Sequence, residues 1–127
     1  MPKKILVVED DPDERELLET LLKLSGFDVV VAADGQEGLE RAQTESPDLV
    51  ITDLSMPRLN GLDLIRRLRA MREFKKMPIL AVTSHGTEKA VEAFKVGASR
   101  SVARPIQNDM LIYFVDDLLV NKRGALL

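Results

Sequence analysis

Hydrophobic positions fall into two alternating patterns along the chain. Short continuous apolar runs such as Ile5–Val8 are typical of parallel strands that are covered on both faces. Longer segments carry apolar residues three and four positions apart, which is typical of amphipathic helices. The first of these segments presents Leu17, Leu18, Leu21 and Leu22 on one face. The alternation predicts an α/β protein with a parallel sheet between two layers of helices.

Five strands and five helices are predicted, joined by right-handed crossovers. The strands are predicted at 5–8, 27–32, 49–51, 79–82 and 100–103. The helices are predicted at 12–25, 36–44, 62–71, 87–96 and from Asn108 or Asp109 to Asn121. The fifth strand has few β-branched residues, so it is predicted from its place in the alternation and not from propensity.

Capping residues predict where the first helix begins. Asp11 is the predicted N-cap, and Pro12 suits the first helical position because proline has no N–H to leave unpaired. Glu14 lies three residues after Asp11 and completes the pattern of a capping box. A turn is predicted at Asp34-Gly35.

Length and composition narrow the class of protein. The chain has 127 residues, which predicts one domain over 1–127 with a frayed tail at 121–127. The absence of cysteine and the presence of one histidine exclude disulfides, thiolate zinc sites and His-rich metal sites. The net charge of −3 argues against a nucleic-acid binder. No apolar run approaches the ~18 residues of a membrane span, and no secretory signal is evident, so we expect a cytoplasmic protein.

Charge is distributed unevenly between the two halves. Residues 1–53 carry a net charge of −9 and residues 54–127 a net charge of +6, so the first half is expected to bind any cation. A basic stretch in the second half, with only Glu73 opposing it, is interpreted as a solvated helix face or a docking face for an acidic partner. Its members are Arg66, Arg67, Arg69, Arg72, Lys75 and Lys76.

Polar residues follow the predicted strands at the end where ligands bind to open α/β sheets. They are Glu9 and Asp10 after the first strand, Asp53 after the third, Thr83 after the fourth and Arg104 after the fifth. Three close carboxylates repel one another, and magnesium, which prefers oxygen ligands, would relieve that repulsion. A metal, a hydroxyl and a guanidinium around a carboxylate suit phosphoryl transfer, with Asp53 as the candidate nucleophile.

These residues resemble the receiver domain of the two-component response-regulator family over nearly the whole chain. The resemblance rests on the acids in LVVEDDP, the run DLSMPRLNG from Asp53 to Gly61, the AVTS at 81–84 and the ARP at 103–105. It implies a flavodoxin-like three-layer α/β/α sandwich with strand order 2-1-3-4-5. It also implies a phosphoacceptor that is not an ordinary enzyme but takes part in its own phosphorylation and dephosphorylation. Because one domain is predicted, we expect a stand-alone receiver.

By the same resemblance, Asp53 would accept a phosphoryl group from a sensor histidine kinase or a histidine phosphotransfer protein. Asp10 and Asp53 would hold magnesium, Glu9 would bind it through water, and the carbonyl of Ser55 would complete the protein ligands. Thr83 would contact the phosphoryl group. A downstream protein would bind the face formed by the fourth helix, fifth strand and fifth helix of a monomer or weak homodimer.

Two departures from the family pattern leave alternatives open. Arg104 replaces the usual lysine and could contact a phosphoryl oxygen or pair with a carboxylate of the site. Ser101 replaces the usual aromatic residue, so a degenerate receiver that binds partners without phosphorylation is the alternative.

An aspartyl phosphatase is disfavoured because Ser55 stands where such enzymes place a second aspartate. His85 is predicted to affect the lifetime of the phosphoryl group.

Overall fold

The computed structural model describes residues 1–84 and 86–120, in which strands and helices alternate. The strands are β1 (Lys4–Val8), β2 (Asp28–Ala32), β3 (Leu49–Asp53), β4 (Ile79–Thr83) and β5 (Arg100–Ala103). The helices are α1 (Pro12–Leu24), α2 (Gly35–Glu45), α3 (Gly61–Ala70), α4 (Gly86–Val96) and α5 (Asn108–Val120). The parallel sheet has the order β2-β1-β3-β4-β5, which confirms the predicted flavodoxin-like fold.

The sheet separates two hydrophobic clusters, as expected for a three-layer sandwich. Successive side chains of a strand point to opposite faces, so Ile5 and Val7 of β1 enter one cluster while Leu6 and Val8 enter the other. Residues of α1 and α5 complete the first cluster, and residues of α2, α3 and α4 complete the second. Both faces of β1 are therefore buried, as its continuous apolar run predicted.

The start of α1 is confirmed in one respect and corrected in another. Asp11 caps the helix, because its Oδ1 accepts the Asp13 N–H at 2.9 Å. The predicted capping box is wrong, since the Asp11 N–H donates to Glu9 Oε2 at 3.2 Å and not to Glu14. Glu9 is held at the end of β1 and reaches this N–H first, whereas Glu14 lies beside Arg104.

Two further predictions from local pattern are wrong. Leu17 was expected to face inward with its neighbours but is 53% exposed. The interior face of α1 is supplied by Leu18, Leu21 and Leu22. Asp34 belongs to no separate turn; it is the N-cap of α2, where its Oδ1 accepts the Glu37 N–H at 2.8 Å.

The weakly predicted fifth strand is present at 100–103 and pairs with β4 from Leu80 to Thr83. Pairing with β4 therefore stabilises a strand here although the segment has a low intrinsic β-propensity. The predicted tail at 121–127 and His85 lie outside the described residues. Within 1–84 and 86–120, none of the helices combines the length and apolarity that crossing a bilayer requires.

Candidate functional site

The carboxyl ends of four strands bring the predicted site residues to one edge of the sheet. Glu9 and Asp10 follow β1, and Asp53 and Thr83 are the last residues of β3 and β4. Arg104 follows β5 and donates its backbone N–H to the carbonyl oxygen of Thr83 at 2.8 Å. The convergence predicted from the sequence is thus present in the folded chain.

Three carboxylates form a compact acidic cluster. Oxygens of Glu9, Asp10 and Asp53 all lie within 4.8 Å of one another, with Glu9 buried, Asp53 half-buried and Asp10 exposed. Burial raises the pKa of the Asp53 carboxyl, and the hydrogen bond that it accepts from the Leu54 N–H only partly opposes this. Burial likewise raises the pKa of Glu9, against the opposing hydrogen bond from Arg104. Such a cluster favours a divalent cation.

Arg104 is held against this cluster by two carboxylates. Its Nη2 donates to Glu9 Oε1 at 2.5 Å, and its Nη1 lies 3.9 Å from Glu14 Oε1. Burial alone would lower the pKa of Arg104, but the hydrogen bond and charge of Glu9 outweigh it and raise the pKa. The sequence left open whether Arg104 would contact a phosphoryl oxygen or pair with a carboxylate of the site. In the structure, Arg104 pairs with the carboxylate of Glu9.

The loop after β3 folds tightly over the backbone of Asp53. The Gly61 N–H donates to the Leu54 carbonyl at 2.9 Å, and a Cβ at Gly61 would clash with the carbonyl oxygen of Asp53. Ser55 lies in this loop, and its backbone N–H helps to hold the Asp53 carboxylate. Glycine at position 61 is therefore needed for the close approach that orients Asp53.

Three contacts at the site were not predicted. Arg15 Nη1 donates to the Glu9 carbonyl at 2.8 Å, and Glu14 lies beside Arg104. Glu14 and Arg15 lie at the start of α1, which begins at the site. Their position in the sequence could therefore have predicted that their side chains lie close to the acidic cluster. Thr52 Oγ1 donates to the carbonyl oxygen of Asp53 at 2.7 Å, a contact to backbone that no sequence pattern indicates.

Comparison with known proteins decides the family. The model of the response regulator receiver domain matches residues 5–116. The chain belongs to the response regulator receiver domain family. It is 35% identical over 127 residues to the response regulator MprA of Mycolicibacterium vanbaalenii, covering 99% of this chain and 51% of that protein. The chain spans about half, or less, of the length of the first curated relatives that it matches.

Solved receiver structures share the fold of this chain. A putative response regulator from Chloroflexus aurantiacus superposes with a TM-score of 0.90 at 33% identity, covering 94% of this chain and 99% of that one. The chemotaxis response regulator CheY4 of Vibrio cholerae gives 0.87 at 30% identity, covering 93% and 99%. Receiver domains are phosphoacceptor modules of two-component phosphorelay signalling that bind Mg²⁺ at an acidic pocket and interact with histidine kinases and downstream effectors.

Proposed function

We propose that this receiver accepts a phosphoryl group on Asp53 from the phosphohistidine of a sensor kinase or histidine phosphotransfer protein. The observation that carries the proposal is the position of Asp53, at the end of a central strand and within 4.8 Å of two other carboxylates. A carboxylate oxygen of Asp53 attacks phosphorus, the phosphorus–nitrogen bond breaks, and the imidazole leaves with the bonding electrons. The product is an aspartyl phosphate.

Side chains around Asp53 have distinct roles in this proposal. The Leu54 N–H and the charge of Arg104 favour the ionised form of Asp53, which is the nucleophile. Thr83, fully buried at the end of β4, is the contact for the phosphoryl group. Arg104 offers further N–H donors of its planar fork to a phosphoryl oxygen, as the usual lysine would offer its ammonium.

Magnesium is the proposed cofactor, and the residues present fit it. Asp10 and Asp53 would supply carboxylate oxygens, Glu9 would bind the ion through water, and the backbone carbonyl of Ser55 would supply a further oxygen ligand. When bound, the ion neutralises charge on the transferred group. The chain's own part is to hold three acids close together despite their repulsion.

The receiver is proposed to act in the cytoplasm as a monomer or weak homodimer. Output passes to a downstream protein through α4, β5 and α5, on which Val91, Phe94 and Tyr113 are exposed. The phosphoryl group shifts the population of two arrangements of this face. The domain takes part in its own dephosphorylation, and His85 is the proposed influence on that rate.

A phosphorylation-independent interaction module is the second candidate, and two observations favour it. Arg104 is paired with Glu9 at 2.5 Å and so competes with metal for that carboxylate. Ser101 has a buried hydroxyl without a hydrogen-bond partner among the described residues and is too small to report a packing change.

Intact-mass measurement with a small-molecule phosphodonor separates the two candidates. Wild type and Asp53→Asn are incubated with the donor, with and without magnesium. A phosphoryl adduct that requires both magnesium and Asp53 is the expected result. A folded wild-type chain that gains no adduct, beside a control receiver that does, would contradict the proposal and favour the phosphorylation-independent module.

A further inference from the structure

A basic groove lies at the other end of the sheet, where the segments leading into β3, β4 and β5 meet. Its volume is about 1040 Å³, and its walls include Pro47, Met77 and Pro78. It has no residue in common with the acidic cluster. A ligand in this groove would therefore leave the site at Asp53 open.

The floor of the groove is a half-buried cation. Arg69 donates from Nε to the carbonyl of Gly97 at 2.8 Å and from Nη1 to the carbonyls of Phe74 and Met77 at 2.7 and 2.6 Å. Its Nη2 donates to Ser99 Oγ at 3.3 Å. Within residues 1–84 and 86–120, no carboxylate pairs with Arg69, so its N–H groups are used but its positive charge is not neutralised.

The rim supplies cations that can contact a ligand. Arg72, Lys75 and Lys76 are exposed, line the groove and form no ion pair among the described residues. Two acids also line it, Asp48 and Glu73. Asp48 is engaged, since its Oδ2 accepts the backbone N–H of Lys4 at 2.8 Å. Four cations thus face two acids, and the field in the groove is positive.

We propose that this groove binds an acidic peptide segment of a partner protein. Its volume exceeds what a single small anion fills, and its cations are spread along the rim, which suits an extended chain with several carboxylates. The apolar walls at Pro47, Met77 and Pro78 suit the aliphatic stems of glutamate side chains. The proposal does not depend on phosphorylation of Asp53.

The test uses the full chain and a fluorescein-labelled ten-residue glutamate-rich peptide, with binding followed by anisotropy at low and moderate salt. Lys75→Glu/Lys76→Glu should weaken binding roughly tenfold. The matched control is Lys23→Glu/Lys89→Glu, which changes the net charge equally at an exposed lysine on α1 and a partly exposed lysine on α4, both outside the groove. Each of these lysines forms one surface ion pair, with Glu19 and Glu92, and such pairs contribute little to stability. The control should change the affinity less than about twofold.

Three outcomes would overturn the inference: no binding by wild type, an equal loss in both variants, or equal or tighter binding of tripolyphosphate or single-stranded DNA of the same charge. The last two would indicate general attraction of polyanions. Circular dichroism confirms folding, and all four lysines are solvent-accessible. The rate at which a small donor phosphorylates Lys75→Glu/Lys76→Glu should equal that of wild type, so failure of the groove and failure of the Asp53 proposal are distinguishable.

Discussion

Replacing Asp53 by asparagine should stabilise the metal-free protein at pH 7. The carboxylate oxygens of Asp10 and Asp53 lie within 4.8 Å of each other, and burial raises the pKa of Asp53. Two unit charges at that separation repel by about 0.9 kcal/mol in water and about 3.5 kcal/mol at an effective dielectric constant near 20. Arg104 attracts Asp53 and offsets part of this repulsion, so we expect the free energy of unfolding to rise by about 1–2 kcal/mol.

The assay is urea unfolding followed by circular dichroism, in chelator and in saturating Mg²⁺. With a typical dependence on urea, the midpoint of Asp53→Asn should rise by about 0.5–1 M in chelator. Magnesium should stabilise wild type more than the variant, because it binds the folded cluster and relieves the repulsion.

Asp116→Asn is the matched control, since Asp116 is an exposed acid on α5 that lies outside the cluster. Its free energy of unfolding should change by less than about 0.5 kcal/mol. If Asp53→Asn is no more stable than wild type in chelator, or if the control is stabilised equally, the reasoning from local repulsion is refuted.

Three further predictions follow from the same contacts. Burial raises the pKa values of Glu9 and Asp53 above their ordinary 4.5 and 3.8, so the folded state binds protons more tightly than the unfolded state. Their contribution to the free energy of unfolding is therefore full below about pH 4 and is lost as the pH rises through their pKa values in the folded state. The urea midpoint should fall over that pH range, and it should fall less in Asp53→Asn. Gly61→Ala should destabilise the fold by roughly 2 kcal/mol in urea melts, because a Cβ clashes with the Asp53 carbonyl, and an unchanged midpoint would contradict this. Arg104→Met should cost about 2 kcal/mol by leaving Glu9 buried without its cation, and adding Glu9→Gln should recover most of that loss in a double-mutant cycle.

The hydrophobic pattern predicted the alternating strands and helices and the parallel sheet between two helical layers, whereas the strand order β2-β1-β3-β4-β5 was expected from the family resemblance. A strand that is covered on both faces has a continuous apolar sequence, and Ile5–Val8 is such a run, with its side chains divided between the two clusters. The pattern did not predict which of two nearby side chains accepts a given hydrogen bond. The spacing of a capping box predicted Glu14 as the acceptor of the Asp11 N–H, but that N–H donates to Glu9 Oε2, at the end of β1.

The residues that meet at the candidate site could be predicted from the sequence, but the contacts between their side chains could not. In a parallel sheet all carboxyl ends meet at one edge, so Asp10, Asp53 and Thr83 were expected together. The partner of Arg104 depends on geometry across 95 positions of sequence, which no local pattern contains. The exposure of Leu17 also depends on the helix packing of the whole fold.

Direct chemical localisation of the phosphoryl group tests the central claim most directly. After reaction with a phosphodonor and magnesium, borohydride reduces an aspartyl phosphate to homoserine, which tandem mass spectrometry assigns to a position in the chain. We predict homoserine at position 53 in wild type and at no position in Asp53→Asn. Homoserine at another acid, or none at all in a folded chain whose control receiver is modified, would contradict the assignment of Asp53 as the phosphoacceptor.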